Sequence, residues 1–534
     1  MIQDRSTETR VDQILGQAMC LAFGIWLILA IAMVFLTTLG TDEAWVLNGL
    51  KSLLLPWTPD ASSEPISTNG GLFALVNLVL EFMLGSIVWV HRLFSLACLL
   101  ALVGVLLFRW PGPPLKMQFR ILFVAPLLGL PGTAEIGTTA LGTSTAVLLV
   151  FLAAGAWTSS DRPGAGRILA CGLLFGLGAA SRFDLVLFAP ALFLAECLRI
   201  YRDKLKYATI ARTLAVIGIG LAIFAANQIL LSPSAYPSTP ENGFQRLLGT
   251  TGIASSFLNY PFILNRISLS IGFFPPVLIA ICLAGFIWRQ RAGESVADSL
   301  KAERFRALLF IIGIVLWTSW MLRSPIPHLR YIWPALACFA ILLGFLLVQL
   351  LRDALKSGEW KKVVFCQITA LALIITGIAG STRNIVMGET NYMSWEWSGE
   401  MSRDYFRRFQ HVQDQIAAFD YVKNQIPADA TILSYVPFGL RYKTGRPILN
   451  AITELPDAAN GRKFYLVLPP DVGTYLYLDA GSYGWITENS DLRAQFGRYS
   501  IYELRTLPPA GSDLLNLART NYVGHPLSKN WFGR

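Results

Sequence analysis

Apolar residues along this chain come in blocks of roughly 15–23 positions, about the length that crosses the hydrocarbon core of a bilayer. Short basic or Pro/Gly-rich breaks separate the blocks, and the pattern holds as far as about Gly380. The blocks predict spans near 14–36, 93–108, 119–133, 140–157, 167–181, 185–200, 210–231, 269–288, 307–322, 331–351 and 363–380. The pattern therefore predicts an α-helical polytopic membrane protein with about eleven transmembrane helices. The block 71–90 is ambiguous: it is long enough to cross, but it holds Asn77 and Glu81 and opens on Asn69-Gly70-Gly71.

Charge in the loops resolves that block. Arg109, Lys116 and Arg120 share one break, Arg162 and Arg167 another, and Arg199, Arg202, Lys204 and Lys206 a third. Arg289 to Arg306 and Arg352 to Lys362 supply two more. With 71–90 lying along the surface, all these loops fall on the side of the N-terminal Arg5 and Arg10. Lys and Arg excess marks the cytoplasmic side. The same count places Thr41–Gly70, the turn at Glu135, the loop 232–268, the turn 323–330 and everything after Gly380 outside the cytoplasm. The expected location is the cell membrane, with the chemistry and the tail facing the periplasm or exterior.

Composition agrees with this class. Hydrophobic residues make up 54% and charged ones 15%, against roughly a quarter charged in a soluble domain. The net charge of +10 sits in those loops, so no nucleic-acid partner is expected. The seven cysteines lie in or beside apolar blocks with no metal-type CxxC, and are expected to be small buried hydrophobes. The first apolar block has no cleavage site after it and reads as a retained span.

Two domains are expected, a membrane part over 1–380 and a small α/β domain over 381–534. In the second, apolar positions recur at three and four from Met401 to Gln425, predicting a helix. The runs Thr431–Val436, Pro447–Asn450, Phe464–Leu468 and Tyr499–Leu504 read as strands.

The candidate chemistry lies on the inferred outer face. Asp42-Glu43 follows the first span, and such a pair is ordinarily a solvated helix cap. Glu135, in the turn after Leu130-Pro131-Gly132, is a third carboxylate on the same face, and acids at an apolar boundary are costly and often functional. Lys51, His91, Arg92, Arg182, Arg246, Arg266, Arg323, His328 and Arg330 converge there too. Carboxylates can deprotonate an acceptor hydroxyl, and arginines and lysines can hold a phosphate leaving group. The combination suits group transfer from a lipid phosphate. Taken singly, each cation is more often a snorkelling anchor.

The order of short motifs resembles the GT-C superfamily of membrane glycosyltransferases, in its aminoarabinose and protein mannosyl transferase branch. The motifs are Asp42-Glu43-Ala44-Trp45, a surface helix, Arg92-Leu93-Phe94-Ser95, Gly176 to Asp184 and Arg330 to Leu336. The tail adds Tyr421 to Ala430 and Tyr442-Lys443-Thr444-Gly445-Arg446-Pro447. The resemblance implies a GT-C-like fold and transfer of a sugar from a polyprenyl phosphate, on the non-cytoplasmic face, to a lipid, glycan or protein acceptor. Direct displacement would invert the anomeric carbon. It implies Asp42 as the general base with Glu43 beside it, and Glu135 as the acid of the second outer loop. Arg330 and Tyr331, with His328, Arg92, Lys51 and Arg182, would contact the donor phosphate. Departures are Thr68-Asn69-Gly70-Gly71-Leu72-Phe73, where many relatives carry His/Lys-Pro-Pro-Leu-Tyr, and Glu135 in place of the commoner Asp. No cofactor is implied, and metal use varies in the superfamily, which leaves a divalent cation open. The other readings are a polyprenyl-diphosphate-oligosaccharide ligase or polymerase, and a transporter or flippase of lipid-linked sugars. The latter needs charged residues within spans, for which Glu81 and Glu196 are the candidates.

Overall fold

The computed structural model describes residues 2–37, 39, 41–54, 70–108, 116–130, 132–160, 162–203, 208–231, 304–323, 329–387, 412–434, 437–451, 462–468, 480–497 and 499–507. The membrane part is built from α1 (Ile2–Leu36), α2 (Thr41–Leu54), α3 (Gly71–Leu84), α4 (Val88–Phe108), α5 (Met117–Gly129), α6 (Thr133–Thr138), α7 (Thr143–Thr158) and α8 (Ala165–Ser181). A 3-10 turn at Phe183–Leu187 leads into α9 (Phe188–Asp203), followed by α10 (Ala208–Leu231), α11 (Arg304–Arg323), α12 (Leu329–Ser357) and α13 (Trp360–Met387). Among the described residues, Arg10–Leu36, Val88–Phe108, Ala208–Asn227, Ile332–Ser357 and Trp360–Thr382 are long and apolar enough to cross a bilayer. Helices α5, α7 and α8 are apolar but shorter. The expected span at 269–288 lies outside the described residues.

These helices are apolar on both faces, as a helix between lipid and protein must be. On α1, Trp26, Ala30 and Met33 are buried, while Leu21, Ile28 and Phe35, seven apart, are exposed. The expected cysteine burial holds for Cys98, Cys171, Cys338 and Cys366, whereas Cys20 is exposed on the outer side of α1 and Cys197 is half-buried.

The block 71–90 is divided. Gly85, at φ +72°, ends α3, and α4 begins at Val88, five residues before the expected start of that span. Fourteen residues at 1.5 Å each reach about 21 Å, short of the hydrocarbon core. On α3 the polar residues turn inward: Asn77 and Glu81 are buried beside Phe73 and Ala74, while Leu75, Val79, Phe82 and Met83 are exposed. An apolar outer stripe on a helix this short suits one lying at the lipid boundary.

Close approach through small residues holds α5 against α12 and α13. A Cβ on Gly344 would run into the Phe123 carbonyl, and one on Gly377 into the Leu128 carbonyl. Without a hydrophobic force between helices in lipid, such backbone contact supplies packing. Gly344→Leu is therefore expected to destabilise the protein by about 2 kcal/mol or more, since overpacking costs about 1–3 kcal/mol even where neighbours yield. A thermal unfolding curve in detergent micelles unchanged from wild type would show that α12 is not seated against α5 there.

The tail opens on α14 (Val412–Asn424) and continues through β1 (Thr431–Ser434), α15 (Pro437–Thr444), β2 (Ile448–Asn450), β3 (Phe464–Leu468), α16 (Ala480–Glu488), β4 (Ser490–Phe496) and β5 (Tyr499–Leu504). The sheet order is β2-β1-β3-β5-β4, parallel from β2 to β3 and antiparallel beyond. All five residues of β3 are buried because both faces are covered. Phe464, Leu466 and Leu468 pack towards Ile486 of α16, and Tyr465 and Val467 towards Ala418 and Val422 of α14. Arg446 closes α14 by donating to the carbonyls of Val422, in its last turn, and of Ile426 and Pro427 just beyond it.

Candidate functional site

The site grows from the junction of α1 and α2. Helix α2 opens at Thr41, so Asp42 and Glu43 stand in its first turn. Glu43 turns inward and is 2% exposed. Its two oxygens accept from Arg92 Nε at 2.8 Å and NH2 at 2.6 Å, and Oε1 also accepts from the Ala140 backbone N–H at 2.9 Å. Arg92, equally buried in the second turn of α4, donates through NH1 to the carbonyls of Val34 and Thr37 and to the Thr37 hydroxyl. The end of a helix leaves carbonyls without intrahelical donors, and here a guanidinium fills that need for α1. One ion pair thus fastens the end of α1, the start of α2, the body of α4 and the turn after α6.

That turn belongs to a second set of contacts. Glu135 lies in the first turn of α6, a short helix where the sequence predicts a tight turn. Buried, it accepts from Asn384 Nδ2 of α13 at 3.0 Å. The Thr133 hydroxyl donates to the Leu127 carbonyl and accepts from Trp333 Nε1 of α12. Thr143, opening α7, accepts from Arg182 NH1 at 2.7 Å, and Arg182 also pairs with Asp184. Segment 133–143 therefore carries Glu135, meets Glu43 through Ala140 and meets Arg182 through Thr143. The structure brings these three expected site residues to one corner, together with Arg92.

The other expected residues are only partly described. Asp42 and Lys51 lie on the α2 backbone, and Arg330 and Tyr331 in the first turn of α12; their side chains, and the whole of His328, lie outside the described residues. Among the described residues, no three His, Cys, Asp or Glu side chains gather around a point where one cation would bind.

Sequence reasoning missed Asn384 and Thr133. Neither carries a local signal, because each meets its partner through a contact hundreds of residues away in the chain or across a turn of another helix. Arg92 did carry one: a charge in the second turn of an apolar helix needs a buried partner.

No family model matches the sequence, and no curated protein matches it. Solved structures do. ArnT from Cupriavidus metallidurans bound to undecaprenyl phosphate superposes with a TM-score of 0.55 at 14% identity, covering 91% of this chain and 97% of that one. The same protein in the apo state gives 0.56 at 15% identity, over 93% and 98%. The archaeal oligosaccharyltransferase AglB from Archaeoglobus fulgidus gives 0.45 at 12% identity, over 85% and 70%. At these identities the likeness is one of fold. Over about nine-tenths of its length, the chain has the fold of the ArnT structures.

Proposed function

We propose that this protein is a glycosyltransferase that moves a sugar from a polyprenyl-phosphate donor to a hydroxyl or amine of a lipid, glycan or protein acceptor. The reaction would take place on the non-cytoplasmic face of the cell membrane, with inversion at the anomeric carbon. The observation that carries the reading is the corner where Glu43, fixed by Arg92 and Ala140, holds the first turn of α2 against the segment bearing Glu135. Asp42 is the next residue to Glu43, so its backbone is fixed wherever Glu43 is fixed.

In this reading Asp42 takes the acceptor proton as the acceptor oxygen or nitrogen attacks the anomeric carbon, and the donor phosphate leaves with the bonding pair. Glu135 is the second acid facing the reaction. Arg330, Tyr331, His328, Lys51 and Arg182 are assigned to the phosphate, which stays at the rim while the isoprenoid chain lies in the bilayer. Glu43 and Arg92 leave the group that touches substrate: with both Glu43 oxygens and three Arg92 nitrogens engaged internally, they are assigned to positioning α2.

A transporter would need charges in its spans that can change partners. Glu196 instead accepts from Trp157 Nε1 and pairs with Arg199, and Glu81 pairs with His91. These contacts favour the transferase.

The test is mass spectrometry of lipid extracts from cells lacking the protein. A polyprenyl-phosphate-linked sugar should accumulate there and return to the wild-type level when the gene is restored. An unchanged set of polyprenyl phosphates would remove the donor class from the reading.

A further inference from the structure

The buried polar groups that this reaction does not use gather where the tail meets α3. Glu81 Oε2 accepts from the Tyr442 hydroxyl at 2.9 Å and faces His91 Nε2 at 3.1 Å, while Oε1 accepts from the Ser86 hydroxyl at 2.7 Å. His91 Nδ1 lies 2.7 Å from Asn77 Oδ1. The Asn77 amide is oriented by its own N–H, which donates to the Phe73 carbonyl, so Nδ1 must donate to Oδ1. One proton then lies between His91 Nε2 and Glu81, and Tyr442 closes the set from the tail. Burial pushes the Glu81 carboxyl up, but hydrogen bonds from His91, Ser86 and Tyr442 outweigh it and hold the group below its ordinary range. Burial, with Glu81 and Glu43 nearby, drives the Tyr442 hydroxyl upwards, so it stays protonated and donates.

Tyr442 stands on α15, yet its ring packs into the core of the membrane helices and not into either face of the sheet. Lys443 adds a bond from Nζ to the Ser86 carbonyl. One turn before Tyr442, on the same side of α15, the helix rests on the candidate site: a Cβ at Gly439 would lie 3.8 Å from Leu39 and 3.9 Å from the Ala44 Cβ. Ala44 is two residues from Asp42. A second anchor stands beside the first, where Gln415 of α14 accepts from the Leu39 N–H at 2.9 Å and donates to the Leu39 carbonyl at 3.2 Å.

We propose that α15 is a wall of the acidic site and that Tyr442, closing on Glu81 and His91, is the positioning residue that holds it there. The tail is then part of the acceptor side of the site and not a cover remote from it. The inference rests on the transferase reading above, but its first test does not. In the full chain in lipid nanodiscs, Tyr442→Phe should raise amide hydrogen exchange in 437–444 and 71–84 at least tenfold, leaving 464–468 protected.

Rescue supplies the second test. Cysteines at Gly439→Cys and Ala44→Cys would have Cβ atoms within disulfide range, and oxidation should restore the turnover lost in Tyr442→Phe, read as the fall in accumulated polyprenyl-phosphate-linked sugar. Unchanged exchange in Tyr442→Phe would overturn the lock. A disulfide that forms and leaves turnover low would overturn the positioning role. If the lipid extracts show no such sugar at all, the transferase reading fails while the exchange result stands on its own.

Discussion

Arg92→Ala is expected to destabilise the folded protein by about 3–5 kcal/mol, the cost of leaving one member of a buried ion pair without the other. The loss has two parts. Glu43 would keep a buried negative charge with the Ala140 N–H as its remaining partner from this set, and the carbonyls of Val34 and Thr37 would lose their guanidinium donor. Glu43→Gln should cost about as much, because it strands the guanidinium instead. The double variant Glu43→Leu, Arg92→Met removes both charges and should recover most of the stability, since apolar replacement of a buried pair is often neutral. It should not recover activity, because the first turn of α2 would lose its tie to the segment bearing Glu135. Thermal unfolding in detergent micelles measures the first part, and a loss under about 1 kcal/mol in Arg92→Ala, the range of an exposed pair, would show that the pair is not buried.

The unequal legibility of this chain has a physical cause. Spans could be read because each must be apolar over its own length, a constraint written locally. The two polar residues of α3 and the charge of distant loops set the block 71–90 apart from the expected spans. The boundary of α3 at Gly85 is not legible, because a helix break three residues before a new apolar helix leaves the hydrophobic run intact. In the tail, β3 announces itself with five apolar residues, whereas β4, Ser490–Phe496, carries Asp491, Arg493 and Gln495 and was missed. Among the described residues it is the edge strand, with no neighbour beyond it in the sheet to require an apolar face. The site was legible as a list of residue types and not as a set of partners. Arg92 read as a phosphate contact until the fold supplied Glu43, 49 positions earlier, and Tyr442 read only as part of a motif until the fold set it against Glu81, 361 positions away.

Asp42→Asn is expected to abolish transfer, by on the order of a hundredfold to ten-thousandfold, the usual contribution of a positioned general base. The substitution keeps the side-chain shape and removes the proton acceptor. It should leave expression and the unfolding temperature at wild-type values, because the fold at this corner is fastened through Glu43 and Arg92. That contrast separates the neighbours: Asp42→Asn should lose activity and keep stability, whereas Glu43→Gln should lose both. Asp42→Glu should fall between, since a base one methylene longer takes the proton from a displaced position and orientation governs much of the rate. The readout is the polyprenyl-phosphate-linked sugar that accumulates in cells whose only copy is the variant. Wild-type levels in the Asp42→Asn strain would take the base role from this residue, and Glu135→Gln would then be the variant to show the loss.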